Sequence, residues 1–225
     1  MFFIVLLTLI TLIAGQQTMV GLPLSRVDYA FWVGQASMVT VEMTIDLGCS
    51  ATKDAWETIQ KVIETYDEEV QFKIRILPLP YHHTSYMLSK GASVVYFYEG
   101  DTAALKYMNA IIEKQDDFLN SATDNMSYND ILNELEKVAT NDTGLTLEQF
   151  YEGMDMNTQA GGTIEQFTRY EFKYCILSGF YGTPMFKIQG LITEGLSTFK
   201  DWEETLNPLV KTTKRISQDP NTIYL

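Results

Sequence analysis

The spacing of hydrophobic residues divides the first half of the chain into two alternating stretches with a helical stretch between them. Met38 to Ile45 (MVTVEMTI) alternates and is rich in β-branched residues, which predicts a strand. Val70 to Leu79 (VQFKIRILPL), closed by Pro78 and Pro80, predicts a second strand. Between them, apolar positions recur at spacings of three and four, as on one face of an amphipathic helix: Trp56, Ile59, Ile63 and Tyr66. This order predicts a βαβ unit with parallel strands and a right-handed crossover.

The second half of the chain has mainly helical spacing. Three segments carry it without any strand signal: Ala92 to Leu119, Ile131 to Val138 and Leu145 to Tyr151. Gly161-Gly162 predicts a turn that starts a longer helix, from Thr163 to Ser178. The apolar stripe of that helix consists of Phe167, Tyr170, Tyr174 and Leu177. Thr183-Pro184 then leads into a short strand, Met185 to Gln189, and Thr198 to Val210 predicts a closing helix.

Together these elements predict an α/β fold that is interrupted by a helical insertion. The helical block between the second and third strands spans roughly 80 residues, whereas an ordinary loop has about six. We therefore assign 1–15 to a signal peptide, 20–80 and 161–210 to the two parts of the α/β core, 81–160 to the insertion and 211–225 to a C-terminal tail.

The composition narrows the class of protein. The chain has 225 residues, with 29 acidic side chains against 16 basic ones and a net charge of −13. Because contacts to phosphates need clustered Lys and Arg, this balance argues against DNA or RNA as a partner. Hydrophobic residues make up 46% of the chain, which is enough to bury a core. Two cysteines are too few for a disulfide scaffold or a cysteine-rich metal site.

The start of the chain is typical of a secretory signal peptide. Met1 to Ala14 is apolar and uncharged, and the polar pair Gln16-Gln17 follows it. Crossing a bilayer takes roughly 20 apolar residues, so this stretch is too short to span one. We expect cleavage near Gly15, although the basic n-region is missing. The alternative is a buried N-terminal strand or helix.

Two acceptor triplets for N-glycosylation agree with secretion. They are Asn125-Met126-Ser127 and Asn141-Asp142-Thr143. The C-terminal residues, Thr222 to Leu225, do not form an ER-retrieval tail. We therefore predict glycosylation at Asn125 and Asn141. We expect a protein that is secreted or resides in the lumen of the secretory pathway, with no membrane span after the signal peptide is removed.

The predicted topology places Cys49 at the edge of the sheet where ligands gather. In an open parallel sheet this edge is formed by the carboxyl ends of the strands. The first strand delivers Cys49 there, at the start of a helix, and the second delivers His82 and His83. A thiol at a helix N-terminus meets unpaired N–H groups and the positive end of the helix dipole, which favours the reactive thiolate. The Thr52 hydroxyl, one helical turn on, is placed to donate a hydrogen bond to the sulfur.

Both cysteines also have plainer interpretations. A free cysteine is commonly a buried small hydrophobe, but the position of Cys49 at a helix start favours partial exposure. Cys175 lies about 100° around its helix from the apolar stripe, so we expect it to pack against the core. A Cys49–Cys175 disulfide would need Cα atoms within about 7 Å of each other, and we predict no disulfide.

Three motifs in this order resemble those of DsbA-type thioredoxin-fold proteins. The motifs are Asp46-Leu47-Gly48-Cys49-Ser50-Ala51-Thr52, Leu77-Pro78-Leu79-Pro80-Tyr81-His82 and Tyr181 to Gly190 (YGTPMFKIQG). The resemblance runs from about Met38 to Val210 and is greatest to eukaryotic members with a Leu-Pro-Tyr-His segment. It implies a thioredoxin-like α/β fold with a helical insertion between the second strand and the strand that follows Pro184.

The resemblance also implies roles for individual residues. Cys49 takes the position of the nucleophile, and Pro184 is a cis-proline that faces it. The backbone of Thr183 then pairs with an extended substrate peptide, as an added strand does. Thr52 stands where the dithiol enzymes of the family carry the second cysteine of Cys-x-x-Cys. A dithiol site frees its substrate by internal attack on the mixed disulfide, so a single thiol must wait for an external one such as glutathione.

The two histidines raise the question of a metal site or a second group near the thiol. Adjacent residues that leave a strand point in different directions, and no second cluster of ligands is spaced to join His82 and His83. We therefore predict no metal, and packing is the plainer role for both residues. Parallel geometry nevertheless places His82 near Cys49, where it would stabilise a thiolate.

Two functions from different classes fit these residues. The first is a redox-degenerate module that binds extended or unfolded polypeptides or thiol-containing substrates without turnover. The second is a monothiol enzyme for thiol–disulfide exchange, a reductase or isomerase that uses Cys49 with glutathione as co-substrate. A glutathione-linked transferase on the same fold is a third, without a glutathione-specific motif to support it. We expect no bound cofactor. The loss of the resolving thiol favours the first function, and the presence of Cys49 favours the second.

Overall fold

The computed structural model describes residues 30–218, so the predicted signal peptide and the end of the predicted tail lie outside the described residues. The strands are β1 (Phe31–Val33), β2 (Val39–Ile45), β3 (Val70–Ile76), β4 (Met185–Ile188) and β5 (Leu191–Thr193). The α-helices are α1 (Ser50–Tyr66), α2 (Ser85–Glu113), α3 (Asn120–Thr123), α4 (Tyr128–Ala139), α5 (Leu147–Met154), α6 (Gln159–Leu177) and α7 (Phe199–Gln218). A 3₁₀ helix, Gln115–Phe118, follows α2.

The five strands form one mixed sheet in the order β1-β3-β2-β4-β5. β2 and β3 are parallel and in register from Val39 opposite Val70 to Ile45 opposite Ile76, which confirms the predicted parallel pair. The other pairs are antiparallel. β1 and β5 were not predicted, because three residues are too few to show an alternating pattern.

Helices cover both faces of this sheet. On one face the Phe186 ring of β4 packs edge-on against Trp202 of α7, with the ring centroids 4.8 Å apart. Side chains alternate along a strand, so the residues next to Phe186 in β4, and those level with them on the other strands, point to the other face of the sheet. There Arg75 of β3 is fully buried, and its guanidinium contacts Glu42 of β2 at 2.8 Å and Glu171 of α6 at 3.3 Å. The sheet is therefore apolar towards α7 and carries a buried ion-pair network towards α6.

The buried face of α6 differs from the predicted apolar stripe. Leu177, a member of that stripe, is 76% exposed. The residues that are buried instead include Ile164, Thr168, Glu171 and Cys175. The prediction was wrong because a buried guanidinium needs a carboxylate partner, and Glu171 of α6 supplies it. The expected core packing of Cys175 is confirmed.

The insertion is a compact group of helices around α2. This helix begins seven residues before the predicted Ala92 and is broken at Gly100, whose φ of 81° is outside the helical range. α4 and α5 each start with a capping box, formed by Ser127 with Asp130 and by Thr146 with Gln149. α6 packs against α2 and α5 as well as β3, so this helix joins the insertion to the sheet.

The last helix is longer than predicted. α7 continues through Pro208 and past Val210, the predicted end, as far as Gln218. The added residues (KTTKRISQ) are mostly polar, so no apolar stripe marked them as helical. Within residues 30–218 no helix is long and apolar enough to cross a membrane.

Candidate functional site

Cys49 lies at the carboxyl end of β2 and is the N-cap residue of α1. Its backbone N–H donates to the carbonyl of Asp46 at 3.0 Å, and its carbonyl accepts from the N–H of Lys53 at 3.1 Å. No side chain caps the helix. The N–H groups of the first turn therefore remain available to a group at the N-cap, where a helix favours negative charge.

The sulfur of Cys49 lies against the turn that precedes β4. Its Sγ is 3.5 Å from the carbonyl oxygen of Thr183, and the Thr183–Pro184 peptide bond is cis. Cys49 shares a small apolar cluster with Leu77, Leu79, Cys175 and Phe180. Only 8% of the residue is exposed, so the expected partial exposure was wrong. The packing of this cluster covers the thiol more closely than a helix start alone implies.

The carboxylate of Asp46 organises the polar groups around this turn. It is fully buried and accepts four hydrogen bonds. The donors are the Gly48 N–H (3.0 Å), the Ser85 hydroxyl (2.5 Å), the Leu79 N–H (3.0 Å) and Nδ1 of His82 (2.6 Å). These bonds tie the end of β2 to the segment after β3 and to the start of α2. Asp46 was not predicted to be a site residue, although it stands three positions before Cys49 in the same motif.

A groove of about 560 Å³ lies beside the cis peptide bond. One wall is α1, and the other is formed by the turn before β4 and the segment from β5 to α7. Its buried apolar residues are Ile59, Phe186, Leu196 and Trp202. Two polar atoms of groove residues are buried without a hydrogen-bond partner among residues 30–218, the indole N–H of Trp202 and the hydroxyl of Thr183. The groove is large enough for side chains of a bound chain.

Comparison with known proteins identifies the fold. No protein-family model matches the chain, and no curated protein matches it. Oxidised BdbD from Bacillus subtilis superposes with a TM-score of 0.63 at 17% identity, over 82% of this chain and 95% of that one. The thiol-disulfide exchange protein alpha-DsbA2 from Wolbachia pipientis superposes with a TM-score of 0.57 at 20% identity, over 80% of this chain and 87% of that one. A periplasmic thioredoxin-like protein from Salmonella enterica serovar Typhimurium superposes with a TM-score of 0.61 at 16% identity, over 87% of this chain and 98% of that one.

The chain has a DsbA-like thioredoxin fold. At these identities the likeness concerns the fold, and it confirms the predicted α/β class with a helical insertion. In this DsbA-like arrangement the insertion also contributes to the turn that carries the thiol. Gln115, in the 3₁₀ helix after α2, donates from Nε2 to the carbonyls of Leu47 at 2.9 Å and Cys49 at 3.0 Å. Nothing in the sequence marked Gln115 for this position.

Thr52 makes a different hydrogen bond from the predicted one. The side chain is fully buried, and its oxygen accepts from the backbone N–H of Asp46 at 3.3 Å. In the part of the chain that the structure describes, no hydrogen bond joins Thr52 to the sulfur of Cys49. The reason is that the hydroxyl serves the end of β2, where a buried N–H needs an acceptor.

The two histidines diverge, as the strand geometry predicted. His82 contacts the Asp46 carboxylate, and in residues 30–218 no hydrogen bond joins its ring to the sulfur of Cys49. His83 turns away, with its N–H donating to Asn120 at 2.8 Å and its ring 3.9 Å from Asp124. Residues 30–218 contain no group of three side chains that could hold a metal ion.

The second cysteine belongs to the same apolar cluster as the first, but no disulfide joins them. Both are free thiols, and Sγ of Cys175 lies 3.8 Å from the Glu171 carboxylate. Burial, and then the negative charge of Glu171, raise the pKa of the Cys175 thiol far above its ordinary value. Cys175 is therefore a neutral thiol at physiological pH and is unsuited to attack a disulfide.

The two predicted glycosylation sites are on the insertion. Asn125 precedes α4 and Asn141 follows it, and both are exposed. Neither lines the groove. Their glycosylation stays a prediction.

Proposed function

We propose that this protein binds extended or unfolded polypeptides in the groove beside Pro184, with Cys49 as its single thiol. The observation that carries the proposal is the position of the Cys49 sulfur, 3.5 Å from the Thr183 carbonyl beside the groove, with a buried threonine one turn along the helix. Such a site can hold a polypeptide and form one mixed disulfide with it. The thiol of Cys175, in the same apolar cluster, is buried and has a raised pKa, so it is unsuited to release that disulfide. We place the chain among DsbA-like proteins in which threonine replaces the second cysteine.

The surface around the groove supports a polypeptide ligand. Tyr181 and Ile192 are exposed at its rim, and exposed apolar residues next to a concave surface are typical of interaction sites. An extended segment would lie along the main chain of Thr183, as in strand addition. Within residues 30–218 the only donor to the Thr183 carbonyl is the weak S–H group of Cys49, so a peptide N–H would replace that contact favourably.

The binding site can be tested with a labelled, cysteine-free unfolded peptide and fluorescence anisotropy. Ala51 is exposed on the α1 wall of the groove, so Ala51→Trp would fill it. Ala36 is equally exposed but precedes β2, at the opposite end of the sheet, so Ala36→Trp is the matched control. We expect binding by the native chain and by Ala36→Trp, and at least about tenfold weaker binding by Ala51→Trp. Equal binding by all three would exclude the groove.

The position of Cys49 at an uncapped helix N-terminus favours monothiol exchange as a second function. The Cys49 thiolate would attack a disulfide R–S–S–R′, forming Cys49–S–S–R and releasing R′S⁻. Glutathione thiolate would then attack the sulfur of R, which releases Cys49 and leaves R–S–S–glutathione. Two proteins of the same fold are named for such chemistry, a thioredoxin-like oxidoreductase and a thiol-disulfide exchange protein. Glutathione-dependent turnover that Cys49→Ser abolishes would establish this function. No turnover above the uncatalysed rate would leave the binding role.

We propose that the protein enters the secretory pathway. The apolar N-terminal segment and the exposed positions of Asn125 and Asn141 support this. Expression in a secreting eukaryotic cell should give a product that endoglycosidase treatment shortens in apparent mass. Asn125→Gln with Asn141→Gln should remove that shift, and retention of the unmodified chain in the cytosol would contradict the assignment.

A further inference from the structure

We infer that the groove selects polypeptide segments that carry a lysine or arginine side chain. This inference rests on the proposed function, because it names the substrate class of the same groove. It draws on the charges that line the groove and on the buried polar atoms without partners there.

Both walls of the groove carry an unpaired carboxylate. Asp54 lies on the α1 wall and Glu194 on the opposite wall, in the segment that follows β5. Both are exposed, and within residues 30–218 neither forms an ion pair. Among the residues that the structure describes, no Lys or Arg lines the groove. A cation in the groove would therefore meet carboxylates that have no ion-pair partner among residues 30–218.

The lysines nearest in sequence to Asp54 and Glu194 form ion pairs elsewhere. Lys53, next to Asp54, binds Asp116 of the 3₁₀ helix at 3.0 Å. Lys200, at the start of α7, lies 3.4 Å from Glu204 of the same helix. The protein thus leaves the charge of the groove uncompensated, and its net charge of −13 adds attraction for a basic ligand.

The buried polar atoms distinguish a peptide from a simple cation. Trp202 lines the groove and is fully buried, and its indole N–H has no acceptor in the part of the chain that the structure describes. In the described residues the hydroxyl of Thr183, in the turn before β4, is likewise unpartnered. A peptide offers main-chain carbonyls to such donors, whereas a polyamine offers only more donors. The combination of carboxylates and an unmet donor therefore fits a basic peptide.

The rest of the groove suits the stem of such a side chain. The alkyl part of Lys or Arg packs along apolar surface while the charged head reaches polar groups. Tyr181 and Ile192, exposed at the rim, provide that surface. An aromatic ring there also attracts a cation.

The test compares three cysteine-free peptides that differ at one central residue, which is Arg, Gln or Glu. Their affinities for the full chain are measured by fluorescence anisotropy at low salt. A double variant, Asp54→Asn with Glu194→Gln, removes the groove charges. The control, Glu64→Gln with Glu148→Gln, removes two exposed carboxylates outside the groove, one of them on α1, and so changes the net charge equally.

We expect the Arg peptide to bind about fivefold more tightly than the Gln peptide, and the Glu peptide most weakly. The control should keep this order, and the groove double variant should lose it. Equal affinity for all three peptides would overturn the inference and leave the proposed binding function intact. An unchanged order in the groove double variant would also overturn it, because the preference would then come from overall charge. No binding of any peptide would contradict the proposed function itself.

Discussion

At the scale of single residues, the carboxylate of Asp46 holds the thiol turn in place. Three of its four donors lie 33 to 39 positions away in the sequence, and the fourth, the Gly48 N–H, belongs to the same turn. A side chain at position 48 would meet the Ser85 hydroxyl, since an added Cβ would lie 2.5 Å from its oxygen. Gly48 therefore allows the close approach that this network needs.

Removing the Asp46 carboxylate should destabilise the protein strongly. Asp46→Ala leaves buried donors without an acceptor, and we expect a loss of about 3–5 kcal/mol in the free energy of unfolding. Ser85→Ala removes one donor and should cost about 1 kcal/mol. Asp117→Ala, at an exposed position, is the control. Urea unfolding, monitored by circular dichroism, measures the free energy of unfolding of all three variants. A urea midpoint of Asp46→Ala like that of the control would contradict the network.

The buried thiol of Cys175 should give the stability a specific pH dependence. Burial and the Glu171 carboxylate raise its pKa in the folded state above the ordinary value of 9.0. Below pH 9.0 the thiol is protonated in both the folded and the unfolded chain, so the stability that depends on the neutral thiol is fully present there. Above that pH only the unfolded chain loses the proton, and stability falls by roughly 1.4 kcal/mol per pH unit. The free energy of unfolding of Cys175→Ala should fall less steeply than that of the native chain between pH 9 and about 10. Equal slopes in urea titrations would show that Cys175 does not contribute.

Short motifs predicted some of the site residues and missed others. Cys49, Thr183 and Pro184 stand in short motifs, and the structure brings them together. The partner of Thr52 and the role of Gln115 depend on contacts with residues that no motif contains. Such contacts follow from the packing of the insertion against the sheet, which periodicity does not encode.

At the scale of elements, strong periodicity predicted the central unit and failed elsewhere for identifiable reasons. β2, α1 and β3 are long enough for their apolar spacing to be seen. β1 and β5 are too short. The orientation of α6 was mistaken because its buried Glu171 pairs with Arg75, an interaction that a hydrophobic pattern cannot show.

The start of α6 depends on a close helix contact. Gly161 and Gly162 both lie in its first turn, after the N-cap Thr158. A Cβ at position 161 would overlap the carbonyl oxygen of Asp155, whereas one at 162 would lie 3.3 Å from that of Met156. The predicted turn at these glycines is therefore a packing requirement of the helix itself.

The two glycines should respond differently to alanine. Gly161→Ala should cost about 2–3 kcal/mol, because backbone must shift to admit the methyl group. Gly162→Ala should change stability by less than about 1 kcal/mol, since helix propensity offsets a tight contact. Thermal and urea unfolding of Gly161→Ala and Gly162→Ala compares the stabilities of the two variants. A Gly161→Ala variant as stable as Gly162→Ala would contradict the close contact.

At the scale of the whole molecule, topology places the thiol and the groove at one edge of the sheet. The parallel pairing of β2 and β3 could be predicted, and it correctly placed Cys49 and the segment of His82 at the same edge. The groove could not be predicted, because its walls come from α1 and from the segment between β5 and α7, which are far apart in the sequence. The thiol beside it has one buried, neutral cysteine as its only companion in the described residues.

The decisive measurement is the lifetime of a mixed disulfide between Cys49 and a peptide. The chain is reacted with a peptide whose cysteine carries a thionitrobenzoate disulfide, so that Cys49 displaces thionitrobenzoate and retains the peptide. Mass spectrometry then follows the adduct without added thiol. We predict that it persists in the native chain, because Thr52 cannot attack it and Cys175 is protonated and buried. In Thr52→Cys the introduced thiol should attack Cys49 and release the peptide. Release from the native chain as fast as from Thr52→Cys would contradict the claim that this site holds its substrate through a single thiol.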